Sequence, residues 1–416
     1  MATASANPTF TLKTILQHKA FRTIWLAQLV SIFGDFLALF GVIIYITFSL
    51  HGTAVDVTAV TIAWILPFTI IGPVAGVFVD HWNVKAVMIA SDLIRAALIV
   101  TLVFATDVWH ICLILAALTT VSSFFAPAQS VTVRCVVPSE GLLAANAMLS
   151  QAFYVVRIIS PYAAAALAKL LTVKACYYFD SASFVFSALM ISTLVVVRPA
   201  RADSGDKTLK SLTQDFLAGN KFIFTHASLA FVFMAMALAM FVMSSFSPLI
   251  SIYIRDGLNA GPGTFGIISA MVGVGLVVGG ALVTKLVRTR SKSHVVLVGL
   301  LGLGAGTALL GLFKSVVVAG VSTFAMGFAI AFVLVPAQTL SQQETPPSMV
   351  GRVTSSFMSL ISVSQVLGLL LSGVLAEKLG VRLLFIACAA ALAMIAGAGY
   401  TMLRAKNPAT ETAPSA

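Results

Sequence analysis

Charged residues are scarce in this chain. Only 9% of its 416 residues are Asp, Glu, Lys or Arg, whereas 59% are hydrophobic. A soluble domain carries about 25% charged residues. A charge content this low, together with a mean hydropathy of +1.04, excludes an ordinary soluble protein and predicts that lipid surrounds most of the chain.

Sequence patterns of metal sites, disulfide frameworks and nucleotide sites are also missing. The four cysteines are scattered, with no Cys-x-x-Cys spacing and no nearby histidine cluster. No Gly-x-x-x-x-Gly-Lys loop is present, and the six histidines are not spaced with carboxylates as in a hydrolytic site. We therefore expect no cofactor, no metal and no enzymatic activity.

Acidic residues are fewer than basic ones, 14 against 25. The resulting net charge of +11 does not indicate a nucleic-acid partner, because the basic residues are dotted between apolar runs and form no dense cluster. With the N-terminus inside, the predicted inner connections hold 17 Lys and Arg residues and the outer ones 6. This bias predicts a multi-pass membrane protein with both termini in the cytoplasm.

Long apolar runs dominate the sequence. A helix needs about 20 apolar residues to cross a bilayer, and twelve runs reach that length, which predicts an all-α integral membrane protein with twelve transmembrane helices. The predicted spans are 23–49, 57–79, 85–106, 109–131, 142–168, 173–197, 228–254, 260–284, 293–313, 315–339, 352–375 and 380–403.

The polar segments divide this pattern. Leu209, Leu212 and Phe216 have roughly helical spacing in the central segment, which favours an amphipathic helix on the inner membrane surface; a solvated linker is the alternative. The predicted domains are a cytoplasmic N-terminal segment (1–22), an N-terminal six-helix bundle (23–197), a cytoplasmic linker (198–227), a C-terminal six-helix bundle (228–403) and a disordered cytoplasmic tail (404–416).

The two halves of the chain repeat each other. Pro127-Ala-Gln129 returns as Pro336-Ala-Gln338 at an offset of 209 residues, and Gly76-x-x-x-Asp80 is matched by Gly280-x-x-x-Thr284 at an offset of 204. Such echoes in matching positions indicate an internal duplication and predict two pseudo-symmetric six-helix bundles.

These features resemble the major facilitator superfamily: six plus six helices, a central cytoplasmic loop and a Gly-x-x-x-Asp hairpin after the second helix. Five motifs resemble its drug-exporter branch, which includes macrolide efflux and enterobactin export proteins. They are Ser31-Ile-Phe-Gly34-Asp35, Ser91-Asp92-Leu-Ile-Arg95, Pro127-Ala128-Gln129, Ala145-Asn146-Ala147 and Asp180-Ser-Ala-Ser183-Phe184. The resemblance implies a secondary transporter of the bacterial inner membrane.

Three departures from the family pattern keep other functions open. His81 stands where the family hairpin has Arg, Pro161 of the fifth helix lacks its usual glycines, and Thr284 replaces an acid. The alternatives are a lipid or lysolipid flippase on the same fold and a non-transporting membrane receptor or assembly protein.

Charged residues inside the predicted helices are functional candidates, because a charge in lipid is costly unless it is paired or faces water. The proton-coupling candidates are Asp35, Arg157 and Asp180. Asp35 lies near mid-membrane, where a partly desolvated carboxylate could exchange protons; an interhelical hydrogen bond or a contact with a cationic substrate are alternatives. Arg157 and Asp180 lie at similar depth and could form a structural pair.

Two further groups complete the predicted site. Gly72 and Gly76 offer a smooth face for close helix approach, and Asp92 and Arg95 form an intrahelical pair, either a brace or part of a charge network. The predicted cytoplasmic gate comprises Gly72, Gly76, Asp80, Lys85, Asp92, Arg95, Gln129 and Gln338. The predicted substrate cavity comprises Gln28, Tyr45, Tyr154, Met243 and Phe246, although such residues also serve ordinary helix packing.

An apolar cavity with aromatic and methionine residues suits amphiphilic organic substrates. The sequence therefore predicts proton-coupled efflux of a small amphiphilic molecule, such as a drug, a secondary metabolite or a siderophore. We expect a monomer that alternates between inward-open and outward-open states.

Overall fold

A computed structural model describes residues 12–79, 81–196, 220–289, 291–346 and 349–405. These residues form helices and short connections, and no β-strand occurs among them. Most of the predicted amphipathic linker helix and the predicted C-terminal tail lie outside the described residues.

The helices of the first half follow the predicted spans closely. They are α1 (Leu12–Gln17), α2 (Lys19–Ile44), α3 (Ala54–Val79), α4 (Val84–Thr101), α5 (Val108–Val136), α6 (Leu142–Leu170) and α7 (Val173–Ser192).

The helices of the second half have similar lengths. They are α8 (Ala227–Ile252), α9 (Pro262–Thr289), α10 (Lys292–Leu312), α11 (Val316–Glu344), α12 (Val350–Leu379) and α13 (Val381–Ala405).

The predicted membrane fold is confirmed. Eleven helices of the described residues are long and apolar enough to cross a membrane. The remaining predicted span, 173–197, corresponds to α7, whose 20 residues include Lys174 and Asp180. This helix has about the length of one crossing.

The weakest predicted break, between the third and fourth spans, is a real helix boundary. Asp107 caps α5, where its carboxylate accepts a hydrogen bond of 3.0 Å from the backbone N–H of His110. This bond holds the pKa of the exposed Asp107 side chain below its usual range.

The chain divides into two compact units. Unit 1 contains Met1–Ile46 and Ala63–Asp203, and unit 2 contains Thr47–Ile62 and Ser204–Ala416. Within unit 1, α2 packs on α6 and α7, and α4 packs on α5 and α7. Unit 2 repeats this order: α8 packs on α12 and α13, and α10 packs on α11 and α13. These four helix pairs occupy matching places in the two units, which agrees with the duplication seen in the sequence. In unit 2, α9 also packs closely on α11.

The unit boundary differs from the predicted bundle 23–197, because residues 47–62 belong to unit 2. Within that unit, the Thr47 hydroxyl donates a hydrogen bond of 3.0 Å to the Ser251 hydroxyl. Arg255 donates hydrogen bonds to the carbonyl oxygens of Thr47 and Gly52, at 2.7 and 2.8 Å. These bonds satisfy backbone carbonyls at the end of the first long helix.

The N-terminal segment also differs from the prediction. The first long helix already begins at Lys19, and the short helix α1 precedes it. Ile15 of α1 is fully buried and packs in a core with Phe21 and Ile24. The end of the predicted 1–22 segment is therefore part of the packed structure of unit 1.

Glycines set the helix spacing in unit 2. A Cβ at Gly327 of α11 would overlap the carbonyl of Val272 in α9, and one at Gly275 would overlap the carbonyl of Phe324. The two backbones therefore lie in direct contact, as small residues allow between membrane helices.

Candidate functional site

A cluster of charged side chains lies inside unit 1, where α2, α4 and α7 pack together. Asp35 comes from α2, Asp92 and Arg95 from α4, and Asp180 from α7. Asp92 and Asp180 are fully buried, and Arg95 is nearly so. The Asp35 side chain retains 19% exposure, so Asp35 is the least buried member of the cluster.

Arg95 is the hub of this cluster. Its guanidinium forms a short salt bridge with Asp92 one turn earlier on α4, and its Nη1 lies 3.8 Å from Oδ2 of Asp35. The phenyl rings of Phe125 and Phe184 pack against the guanidinium carbon, with their centroids at 4.7 and 4.2 Å. Cation–π contacts of this kind stabilise a desolvated arginine.

Gly34 explains why Asp180 reaches the cluster. A Cβ at Gly34 would lie 2.5 Å from Oδ1 of Asp180 and would overlap the Ser183 hydroxyl. Only a glycine at this position lets α2 and α7 approach with an acid between them. The Ser183 hydroxyl also donates to the Asp180 carboxylate, at 3.3 Å.

Acidic groups exceed basic ones in this cluster. The cluster holds three carboxyl groups and one guanidinium, and only Asp35 and Asp92 form ion pairs with Arg95 among the described residues. One oxygen each of Asp35, Asp92 and Asp180 is buried without a hydrogen-bond partner. Full ionisation would leave excess negative charge in a low-dielectric interior, which is strongly unfavourable. The arrangement is therefore suited to holding protons.

A cavity of about 270 Å³ opens beside the face of α2 that carries Asp35. Three helices line it: α2, α5 and α6. Gln28 and Ile32 come one to two turns before Asp35 on α2, so the cavity and the charged cluster share this helix. The lining residues are Gln28, Ile32, Gln129, Ser130, Val133, Asn146, Leu149, Ser150, Phe153 and Tyr154.

Arg157 is not part of the charged cluster. It is exposed on α6, one turn after Phe153 and Tyr154, and no salt bridge joins it to a described residue. Asp180 contacts Ser183 and the Gly34 backbone instead. The predicted Arg157–Asp180 pair is therefore wrong, because the Asp180 carboxylate lies in the space that Gly34 leaves beside α2.

The predicted gate residues separate into different environments. Lys85 donates hydrogen bonds of 2.7 Å to the carbonyls of Ser192 and Leu194, and so caps the end of α7. Asn83, which the sequence analysis missed, caps α4 by accepting hydrogen bonds from the N–H groups of Lys85 and Ala86. Asp80 lies outside the described residues.

Among the other predicted gate residues, only Asp92 and Arg95 contact one another in the described part of the chain. Among the described residues, nothing lies within 4 Å of a Cβ placed on Gly72 or Gly76. Gln129 lines the cavity, whereas Gln338, its counterpart in the repeat, is exposed. The predicted pair Asp92–Arg95 is present, but it lies within the buried cluster.

The predicted cavity residues are also divided. Gln28 and Tyr154 line the cavity, whereas Tyr45 begins a π-helical turn, Tyr45–Ser49, after α2. Met243 is half-buried in α8. Phe246 is wrongly predicted as a lining residue, since it is 3% exposed and packs against the Phe385 ring at 5.8 Å.

Two aromatic residues of the site were missed by sequence reasoning. Phe184 ends one of the family-like motifs and Phe125 lies two residues before another, yet their contact with Arg95 depends on how α4, α5 and α7 pack. An aromatic residue next to each motif was the available signal. It did not distinguish a cation–π partner from ordinary helix packing.

The described residues form twelve long helices in two repeated units, and unit 1 holds a charged cluster and a cavity. These features are typical of membrane transporters. The model of the Major Facilitator Superfamily matches residues 24–355 and 232–416. The chain belongs to this family, and it is a multi-pass membrane transporter rather than an enzyme.

Named relatives support this assignment. The chain is 27% identical to the uncharacterized MFS-type transporter YfiS of Bacillus subtilis (strain 168), covering 91% of this chain and 92% of YfiS. It is 25% identical to macrolide efflux protein A of Streptococcus pyogenes, covering 87% and 90% of the two chains.

A solved structure shares the fold. The inward-facing, occupied structure of a bacterial homologue of the human lysosomal transporter Spinster aligns with a TM-score of 0.74 at 14% identity, covering 96% of this chain and 98% of that one. At this level of identity the likeness concerns the fold alone.

Proposed function

We propose that this transporter exports small amphiphilic organic molecules in exchange for protons, and that Asp35 is the proton-coupling residue. The observation that carries the proposal is the cluster of three carboxyl groups around Arg95 in unit 1. Among the described residues, buried charged side chains occur only in this cluster. The coupling chemistry is therefore assigned to unit 1.

Access to water distinguishes Asp35 from the other two acids. Asp92 and Asp180 are fully buried, so they can exchange protons with solvent only through a neighbouring group or a conformational change. Asp35 is partly exposed and also lies 3.8 Å from Arg95. A proton that binds Asp35 weakens its attraction to Arg95, and such a change can bias an equilibrium between two conformations.

The cavity beside α2 links substrate and proton. Ile32, which lines the cavity, precedes Asp35 by one helical turn. A bound molecule and a proton would thus act on the same helix. Because each one favours a different conformation of that helix, the binding of one would oppose the binding of the other, as exchange requires.

Direction, substrate class and location are supported by other observations. A relative that aligns over most of its length is named as a macrolide efflux protein, which favours export. The excess of basic residues in the predicted inner connections supports cytoplasmic termini, and relatives in Bacillus and Streptococcus support a bacterial cell membrane. Both halves of the repeat lie in one chain, so we propose a monomer.

The test uses purified protein in liposomes with an imposed proton gradient. A macrolide, a cationic dye and an uncharged alkyl glycoside are offered as substrates. Asp35→Asn should lower the gradient-driven transport rate by about 100-fold, the scale of removing a proton-transfer group. Exchange of substrate for substrate across the membrane, without a proton gradient, should continue. The matched control is Glu140→Gln, which removes an exposed carboxylate.

Two outcomes would contradict the proposal. Full gradient-driven transport by Asp35→Asn would refute the coupling role of Asp35. Wild-type protein that moves none of the substrates and causes no proton flux would refute proton-coupled export.

A further inference from the structure

The cavity of unit 1 is lined by carboxamide groups from three different helices. Gln28 lies on α2, Gln129 on α5 and Asn146 on α6. Hydroxyl groups of Ser130 and Ser150 lie beside them. Each carboxamide offers one acceptor oxygen and two N–H donors, and none of the lining residues is Asp, Glu, Lys or Arg.

These carboxamides lack partners within the protein. Gln28, Gln129 and Asn146 form no side-chain hydrogen bond with any residue that the structure describes. Gln28 is the most informative, because it is only 6% exposed and still faces the cavity. The cavity thus presents amide groups that have no partner among the described residues, so a ligand group that exchanges hydrogen bonds with them would bind favourably.

The apolar part of the cavity is equally defined. Ile32 and Phe153 form one wall, and the Phe153 ring is held edge-on by Phe36 at a centroid distance of 5.4 Å. The volume of about 270 Å³ is below the usual range of about 300–1,000 Å³ for sites that bury a drug-sized ligand. The cavity therefore fits one group of a larger amphiphile rather than the whole molecule.

We propose that this cavity is a subsite for an uncharged polar group, such as a cluster of hydroxyls or an amide, on an amphiphilic substrate. Gln28, Gln129 and Asn146 exchange hydrogen bonds with that group, and the wall of Ile32 and Phe153 contacts the adjoining apolar part. A charged group would find no counter-ion among the lining residues. This assignment deepens the proposed transport function and rests on it only for calling the ligand a substrate.

The test measures binding without any proton gradient. Purified protein in lipid nanodiscs is titrated calorimetrically with hexyl glucoside, hexyltrimethylammonium and heptanoate, which share a hexyl tail. The heat measured with empty nanodiscs is subtracted. Wild-type protein should bind hexyl glucoside most tightly. Gln129→Leu and Asn146→Leu should each weaken hexyl glucoside binding about fivefold to tenfold, the scale of one hydrogen bond.

Gln151→Leu is the matched control, since Gln151 follows Ser150 on α6 but is not among the cavity residues. It should bind hexyl glucoside like wild type. Gln129→Glu supplies a second variant, which should gain affinity for hexyltrimethylammonium because it places a carboxylate in the cavity. Thermal unfolding of each variant shows that it is folded.

The proposal is overturned if both leucine variants bind hexyl glucoside like wild type, or if a charged probe binds wild-type protein more tightly than the glucoside does. Asp35→Asn separates this result from the coupling proposal. It should lose gradient-driven transport and keep the preference for hexyl glucoside over the two charged probes.

Discussion

Unit 1 and unit 2 share matching helix pairs but differ in the side chains that are buried between the helices. In unit 1, α2, α4 and α7 enclose three carboxyl groups and one guanidinium. In the described part of unit 2, no charged side chain is buried. The offset of 204 that relates Gly76 to Gly280 aligns Asp92 with Val296 and Arg95 with Gly299. Both counterparts are buried and apolar.

The glycines reflect the same division. In unit 2, Gly275, Gly327 and Gly368 touch the backbone of a neighbouring helix. In unit 1, Gly34 instead touches the side chains of Asp180 and Ser183. In unit 1 a glycine thus makes room for an acidic side chain between two helices, whereas in unit 2 glycines bring helix backbones into contact.

The largest effect is expected from Arg95→Met. This change removes the one cation of the cluster and leaves three carboxyl groups, so we expect a loss of stability of about 3–5 kcal/mol, the scale of an unpaired buried charge. Thermal unfolding of the purified protein measures it.

A double variant sharpens this prediction. Arg95→Met with Asp92→Asn should be more stable than Arg95→Met alone, because the partner charge is also removed. Wild-type stability of Arg95→Met would show that the cluster is not an electrostatic unit.

A smaller effect is expected in unit 2 from Gly327→Ala. The new methyl group would overlap the Val272 carbonyl, so α9 and α11 must separate, at a cost of about 1–3 kcal/mol. Gly280→Ala is the control, since nothing lies within 4 Å of its Cβ. Equal unfolding temperatures for the two variants would contradict the claim that glycines keep helix backbones of unit 2 in contact.

The smallest effect is expected at the half-buried Lys85. Lys85→Met removes the cation that bonds the last carbonyls of α7, and should cost about 0.5–1 kcal/mol. Lys174→Met, at the exposed start of the same helix, should leave the unfolding temperature unchanged. If both variants behave alike, Lys85 does not stabilise the end of α7.

Much of the fold could be predicted from the sequence, since apolar length decides where a helix crosses a membrane. The predicted span 142–168 became Leu142–Leu170, and 293–313 became Lys292–Leu312. The start of the first long helix was predicted too late, because Lys19 and Arg22 were read as the end of a polar segment. Their backbone is helical because Phe21 and Ile24 pack in the core.

The site was only partly predictable. Asp92 and Arg95 lie three apart on one helix, so their contact follows from helical periodicity. The meeting of Asp35 and Asp180 depends on tertiary packing at Gly34, which spacing along the chain does not encode. The same limit explains why Arg157 was paired with Asp180 and why Phe246 was placed in the cavity.

The most direct test of the central claim is infrared difference spectroscopy of the purified transporter during substrate binding at neutral pH. A cluster that exchanges protons should change its protonated-carboxyl band when substrate binds. That signal should be lost in Asp35→Asn and retained in Glu140→Gln. A band that is unchanged by substrate in wild-type protein, or that changes equally in Asp35→Asn, would contradict the assignment of proton coupling to unit 1.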